Sequence, residues 1–151
     1  MTDTSAKMTW KFPKSFWVAN SIELFERAAY YGMFITLVLY LTREIGFTDV
    51  EAGWVAAFFA GFIYLAPIVT GAIADKMGFK NSLVLAFALL ATGYSILGAF
   101  QLKGTAIFSL LLILVGGAFV KPIITGTVAK ASDEANRARA YSLFYQVVNI
   151  G

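Results

Sequence analysis

The sequence predicts an all-α membrane protein, and three observations carry that prediction. The 151 residues are 59% hydrophobic and 14% charged, with a mean hydropathy of +0.73, values typical of integral membrane proteins. Four apolar runs each reach the ~20 residues that a spanning helix needs. The basic residues are concentrated in alternate connecting segments, as in proteins that span a membrane several times. These features exclude an ordinary soluble domain.

The apolar runs predict four transmembrane helices and an incomplete fifth. We expect the helices at about residues 15–41, 52–74, 82–100, 105–129 and 138–151, after a cytoplasmic N-terminal segment at 1–14. The first run is too long and too charged for a signal peptide, so we expect it to be retained. The fifth run, of about 14 residues, is too short to span. We therefore expect the chain to be the N-terminal part of a longer protein.

The basic residues of the connecting segments predict the orientation. Eight lie in the N-terminal segment, the second loop and the fourth loop: Lys7, Lys11, Lys14, Lys76, Lys80, Lys130, Arg137 and Arg139. The first and third loops hold only Arg43 and Lys103. Because basic loops stay on the cytoplasmic side, the N-terminus is expected in the cytoplasm.

A short run within the first helix carries two acids and a base. Glu26 and Arg27 lie three and four residues after Glu23, so the three share one helix face, which continues with Tyr30 and Phe34. Each charge near a membrane centre costs roughly 2.5–3.5 kcal/mol on the insertion scale. The three must therefore find partners. Glu23 and Arg27, at i and i+4, form an ion pair in the favourable order. Charged residues in such a position usually serve function.

The fourth helix carries one intramembrane cation directly before a proline. Lys121 and Arg27 together balance the two glutamates, so we expect the four to share one buried cluster. Pro122 leaves the carbonyl of Ala118 without its intrahelical donor and bends the helix beside the lysine. Bent helices near the midplane are typical of transporter sites.

Two interpretations of this cluster stay open. It is either a set of ion pairs that only holds the first and fourth helices together, or a site for a proton and an anion. Buried ion pairs seldom stabilise a protein more than apolar packing does, which counts against the first. In the second, a substrate carboxylate competes with the glutamates for the two cations, which couples proton binding to substrate binding.

The second helix carries further candidates. A repeat of small residues at Gly53, Ala57 and Gly61 predicts a seam where a neighbouring backbone approaches closely.

Four tyrosines of the first, second and fifth helices are candidates for lining a cavity, although tyrosine is also common at membrane interfaces: Tyr30, Tyr31, Tyr64 and Tyr145.

The end of the second helix and the loop after it carry a motif that is either functional or an ordinary solvated loop: Gly71, Asp75, Lys76, Gly78 and Lys80. An aspartate at a helix C-terminus is better placed against the N-terminus of another helix.

Four motifs resemble the proton-dependent oligopeptide transporter family of the major facilitator superfamily, over the chain from about residue 12. They are Glu23-x-x-Glu26-Arg27-x-x-Tyr30-Tyr31-Gly32, the loop Gly71–Lys80, Phe119-x-Lys121-Pro122 and Phe144-Tyr145-x-x-x-Asn149-x-Gly151. The chain departs from the family pattern at Ala28, Ile123 and Val148, where phenylalanine, asparagine and isoleucine are usual. The first two departures lie beside the charged residues and bear on substrate range.

The resemblance implies an inner-membrane symporter that imports di- and tripeptides with protons. It implies that Arg27 and Lys121 hold the peptide carboxylate and that Glu23 and Glu26 carry the proton coupling. By the same resemblance Tyr30, Tyr64 and Asn149 line the peptide site. We expect the loop motif, with Asp75 and Lys76, to act in gating, because it lies at a cytoplasmic helix end away from the charged face. The implied partners are the peptide, protons, membrane lipid and the remaining helices of the transporter, with no nucleic acid. No cofactor is implied beyond the proton as coupling ion.

Other functions are weighed against this one. The sequence has no cysteine and no histidine, so disulfides, thiolate sites and the commonest metal ligand and general base are excluded. No metal site is expected, and an intramembrane enzyme is the weakest interpretation. Two alternatives remain: a major facilitator that moves drugs or another organic anion, and a membrane fragment or scaffold that does not transport.

Overall fold

Five α-helices make up the chain in a computed structural model that describes residues 11–151. They are α1 (Lys14–Arg43), α2 (Asp49–Met77), α3 (Phe79–Ala99), α4 (Lys103–Lys130) and α5 (Arg137–Ile150). None of the described residues lies in a strand. The first four helices are long and apolar enough to cross a membrane, so this is a multi-pass membrane protein and the expected fold class is confirmed. The first ten residues of the expected cytoplasmic segment, including Lys7, lie outside the described residues.

The chain forms two compact units, and α1 and α4 contribute to both. The terminal unit combines the described part of Met1–Ala28 with Ile124–Gly151. Its buried side chains come from α1, α4 and α5 and include Phe16, Val128 and Phe144. The central unit is Ala29–Ile123 and contains all of α2 and α3. Its buried side chains include Leu37, Ile63, Leu90 and Ile113.

The start of α2 is fixed by a capping box. The Thr48 side chain accepts a hydrogen bond from the backbone N–H of Glu51, whose carboxylate accepts from the backbone N–H of Thr48 at 2.9 Å. Two backbone donors at the helix end are thereby satisfied. The helix therefore begins at Asp49, three residues earlier than hydropathy alone predicts, because capping chemistry and not hydropathy sets the boundary. Lys103 at the start of α4 also reaches the Glu51 carboxylate, at 3.0 Å.

One glycine forms the whole connection between α2 and α3. Gly78 has φ +83°, a backbone conformation that residues with a side chain rarely adopt. It ends α2, donating its N–H to the carbonyl of Ala74, and its own carbonyl accepts the first hydrogen bond of α3 from Ser82. The expected loop of several residues is therefore a single turn.

The close approach of helices in the central unit occurs on α3 and α4. A Cβ at Gly93 would lie 3.0 Å from the carbonyl oxygen of Ser109, and one at Gly116 would lie 2.9 Å from that of Ala86. A Cβ added at Gly53 or Gly61 of the seam expected on α2 would meet nothing within 4 Å among residues 11–151. The seam on α2 therefore stays a prediction.

The proline of α4 is compensated by a side chain of α2. Pro122 cannot donate to the carbonyl of Ala118, four residues earlier. The buried Thr70 hydroxyl donates to that carbonyl instead, at 2.8 Å. The adjacent Gly71 faces the proline, since a Cβ there would be in ordinary contact with the Pro122 Cβ, at 3.6 Å. In lipid, where no water replaces a missing donor, this bond satisfies a backbone group that would otherwise be costly.

The exposed surface of the helices is apolar, as a membrane requires. On α1 the face opposite the charged residues carries Val18, Phe25, Ile35 and Leu39, which are all more than half exposed. On α2 the exposed side chains include Trp54, Phe58, Phe62 and Ile68. Such a surface is unfavourable in water and suits contact with lipid or with further apolar helices.

We expect Thr70→Val to destabilise the protein by about 1 kcal/mol, because valine keeps the shape of threonine but leaves the Ala118 carbonyl without a donor. Thr70→Ser should retain the bond and most of the stability. Thr36→Val is the matched control, since the Thr36 hydroxyl is exposed and bonds only to carbonyls of its own helix. Thermal unfolding of the purified protein in detergent measures all three. Equal losses for Thr70→Val and Thr36→Val would show that the interhelical bond adds no stability.

Candidate functional site

Three charged side chains of α1 form a buried ion-pair network, which we call the charged triad: Glu23, Glu26 and Arg27. The guanidinium Nε of Arg27 donates to Oε2 of Glu26 at 2.6 Å, and its Nη2 lies 2.5 Å from the same oxygen. The same Nε lies 3.5 Å from Oε1 of Glu23, which is the i, i+4 pair that the spacing predicts. One guanidinium thus serves two carboxylates, and the shorter contacts are with the neighbouring residue.

The three charged side chains of this network are buried. The residues of the charged triad are 3%, 6% and 4% exposed, although they belong to a helix whose other face is apolar and exposed. Removing an ion from water is expensive unless a partner compensates its charge. The triad holds two acids and one base, all buried and paired within one turn of α1.

A polar residue that sequence reasoning missed lies one turn before the charged triad. Asn20 is 4% exposed, and its Nδ2 donates to the carbonyl of Phe16 at 2.9 Å. Its buried Oδ1 has no hydrogen-bond partner among the described residues. Asn20 precedes Glu23 by three positions, so the two lie on one face of α1. An asparagine inside an apolar run, in register with the acids, was the signal that could have found it.

Helix α5 reaches α1 within the terminal unit at the residue that bears the guanidinium. A Cβ added at Gly151 would lie 2.9 Å from the Cβ of Arg27. Among the predicted site residues of α5, Tyr145 is exposed and packs its ring against Tyr141 and Phe144. Asn149, also exposed, donates through its side chain to the carbonyl of Tyr145 at 2.8 Å.

In the central unit, the lysine of α4 lies over a tyrosine ring of α2. The Nζ of Lys121 is 4.3 Å from the ring centroid of Tyr64, a distance at which the cation and the ring attract. Tyr64 is 65% exposed. This contact brings together two residues that the sequence predicted for the same site. The predicted proximity of Lys121 to Glu23 or Glu26 stays a prediction.

The aromatic continuation of the charged face forms a stack in the central unit. The ring of Tyr30 lies 5.6 Å from that of Phe34 and 6.1 Å from that of Phe59 on α2. Tyr31 contacts Tyr30 edge to face at 5.2 Å and is 39% exposed. Tyr30 is buried, so the structure places it among aromatic rings, whereas Tyr31 and Tyr64 have ring surface to offer to a ligand.

An apolar groove of about 340 Å³ lies between α2 and α4 in the central unit. Its walls are aromatic and aliphatic: Val55, Phe58, Phe59, Phe62, Ile107, Leu110, Leu111 and Leu114. None of the predicted charged residues lines it, so we do not assign the candidate site to this groove. It suits an apolar helix or lipid chain.

The predicted gating residues lie at the junction of α2 and α3. Asp75 and Lys76 are exposed in the last turn of α2, Gly78 forms the connection, and Lys80 is exposed in the first turn of α3. Gly71 differs from these, because it packs against the proline of α4 one turn further into the helix. Within residues 11–151, no group of acids is placed to hold a metal ion.

Comparison with known proteins gives one group of relatives. The sequence profile of the Major Facilitator Superfamily matches residues 21–151. Dipeptide and tripeptide permease A of Salmonella typhi is 28% identical over 99% of this chain, and permease B of Xenorhabdus bovienii is 28% identical over 100%. The chain spans 31% and 32% of the length of these relatives.

Solved structures give the same result. A tetrameric PepTSo2 superimposes with a TM-score of 0.83 at 30% identity, covering 90% of this chain and 30% of that one. A structure from work on substrate recognition in proton dependent oligopeptide transporters superimposes with a TM-score of 0.81 at 31% identity, over 90% of this chain and 31% of that one. The resemblance seen in the motifs is thus confirmed, and the chain belongs to the major facilitator superfamily.

Proposed function

We propose that the full-length protein is a proton-coupled symporter that imports di- and tripeptides across the inner membrane. The observation that carries this proposal is the charged triad, in which a buried arginine is shared by two buried acids within an apolar helix. The relatives named as dipeptide and tripeptide permeases support the choice of substrate. Peptides carry a carboxylate that suits a guanidinium, since the two groups pair through charge-assisted hydrogen bonds.

The proposed coupling follows from competition for Arg27. With both acids ionised, Arg27 is held by Glu26 and Glu23. When either acid takes a proton, its attraction for the guanidinium falls, and the guanidinium becomes available to a peptide carboxylate. The peptide then replaces the negative charge that the proton removed, so the buried site stays close to neutral. Proton and peptide therefore favour each other's binding, which is the coupling a symporter requires.

Lys121 is proposed as the second holder of the peptide carboxylate. Its ammonium lies over the Tyr64 ring, which attracts the cation. A carboxylate that approaches this ammonium gains a full ionic interaction, while the ring can keep its contact. Tyr64 is thus proposed to orient the lysine and to offer its exposed ring to the peptide.

The remaining assignments rest on position. Tyr30, Tyr31, Tyr145 and Asn149 are proposed to line the peptide site, and the α2–α3 junction with Asp75 and Lys76 is proposed to act in gating. Residues 1–14 are proposed to be cytoplasmic and 15–151 to form part of the N-terminal bundle. The single-residue connection at Gly78 supports the gating proposal, because a short connection transmits movement of one helix to the next.

The proposed orientation predicts that residue 103 is accessible from outside the cell. In a full-length protein without other cysteines, Lys103→Cys should react with a membrane-impermeant maleimide in intact cells. Lys80→Cys is the matched control, since it is also exposed at a helix start but belongs to the opposite side. It should react only after permeabilisation. The reverse pattern would place the N-terminus outside.

The contact between Lys121 and Tyr64 predicts a graded effect on peptide affinity. Tyr64→Leu should weaken dipeptide binding by about two- to thirtyfold, because the loss of a cation–π contact costs roughly 0.5–2 kcal/mol. Tyr64→Phe should bind within about twofold of the parent, since the ring remains. Phe62→Leu is the matched control, because it removes a ring of the same helix, and that ring lines the apolar groove. Titration calorimetry of the full-length protein gives the constants, and equal loss in Phe62→Leu would refute the specific contact.

Coupling is tested by removing one proton acceptor at a time. In liposomes, Glu23→Gln or Glu26→Gln should abolish peptide uptake driven by a pH gradient, because glutamine resembles the neutral acid and cannot release a proton. Exchange of external for preloaded peptide should persist, since it needs only binding and reorientation. Arg27→Ala should lose both activities, because it removes a partner of the carboxylate itself. If both glutamine variants still concentrate peptide like the parent, neither acid carries the coupled proton.

A labelled drug or organic anion that these liposomes accumulate in place of peptides would favour a different major facilitator. Absence of both transport and dipeptide binding in the full-length protein would refute the proposed function.

A further inference from the structure

Gly151, the residue that follows α5, packs closely against α1 within the terminal unit. A Cβ built at this position would lie 2.7 Å from the carbonyl oxygen of Leu24, 2.9 Å from the Cβ of Arg27 and 3.4 Å from the backbone nitrogen of Ala28. The first two distances are shorter than real Cβ contacts allow. The atoms concerned are backbone and the first side-chain carbon, which cannot move aside as the end of a flexible side chain does.

Space is the reason for glycine at this position, because the backbone does not require it. The positive φ angles of the described residues belong to Gly46 and Gly78, so Gly151 has a conformation open to other residues. Its N–H donates to the carbonyl of Val147, a bond that alanine would also form. A substitution to alanine would therefore act through the contact with α1 and not through backbone strain.

The contacted turn of α1 bears the charged triad. Residues 24 and 28 are four apart, so they are the acceptor and donor positions of one helical hydrogen bond, and Arg27 lies within that turn. Its Cβ is the base of the side chain whose Nε is 2.6 Å from Glu26 and 3.5 Å from Glu23. A shift of this Cβ by a few tenths of an ångström alters both distances, because the buried guanidinium has little room to compensate.

We propose that Gly151 is a positioning residue, whose close contact with the 24–28 turn sets the Arg27 side chain in its pairing with Glu26 and Glu23. The proposal concerns the geometry of the charged triad, and its consequence for transport rests on the proposed function. The absence of a side chain at residue 151 lets the α5 backbone lie directly against the base of the arginine, which fixes one end of that side chain while the carboxylates hold the other.

The first test measures the ion pair without any assumption about transport. Glu26→Gln removes the shortest contact of Arg27, and its effect on the unfolding temperature of the full-length protein is compared in three backgrounds: the parent, Gly151→Ala and Gly116→Ala. Gly116 is the matched control, because a Cβ there is equally crowded, 2.8 Å from the Leu90 Cγ, but lies in the central unit. We expect the effect of Glu26→Gln to be strongly reduced only in Gly151→Ala, where the pair is already displaced.

The second test measures function. Gly151→Ala should weaken dipeptide binding and slow proton-driven uptake by on the order of 10- to 100-fold, since small misplacements of a binding group have effects of that size. Gly116→Ala should lower the unfolding temperature but leave the dipeptide affinity within about twofold. Gly53→Ala, at a position with open space around it, should alter neither quantity.

The outcomes separate the positioning role from the proposed function. Full additivity of Glu26→Gln and Gly151→Ala in the unfolding experiment would overturn the positioning role, whatever the substrate. So would failure of Gly151→Ala to fold while Gly116→Ala folds, because the contact would then serve the fold and not the arginine. A smaller effect of Glu26→Gln on the unfolding temperature in the Gly151→Ala background, together with no peptide transport by the parent, would support the positioning role and refute the proposed function.

Discussion

A charge inside an apolar helix must be neutralised nearby, and the terminal unit of this protein is arranged around that constraint. Arg27 meets it through acids on its own helix, at the neighbouring position and one turn earlier. Partners on one helix keep their distances when whole helices move, because the helix is rigid over one turn. The distances of Arg27 to Glu23 and Glu26 therefore depend first on the local geometry of one turn of α1.

The backbone of α4 meets the same constraint in another form. Pro122 removes one donor from the helix, and Thr70 of α2 supplies a replacement at the Ala118 carbonyl. Tyr64, six residues before that threonine on α2, contacts Lys121 next to the proline. The backbone hydrogen bonding of α4 at Ala118 and the placement of Lys121 thus both involve contacts with α2. In the proposed function, this links the position of the second carboxylate holder to the packing of α2.

The sequence predicted those features that depend on spacing along one helix. The charged face of α1, the Glu23–Arg27 pair and the exposed apolar face follow from 3.6 residues per turn, and the structure has all three. The missing donor at Ala118 follows from the chemistry of proline. Features that depend on contacts between helices were beyond this reasoning. Neither the Thr70 bond nor the fit of Gly151 has a signal in local spacing, and the glycines of the expected seam on α2 meet no neighbour among residues 11–151.

The two cations of the proposed carboxylate site differ in the contacts that the structure describes. Arg27 pairs with carboxylates of its own helix, whereas Lys121 lies over the ring of Tyr64. In the proposed function the two cations hold the peptide carboxylate together. Protonation of Glu23 or Glu26 weakens the attraction of that acid for Arg27, so binding of the carboxylate at the arginine depends on the proton.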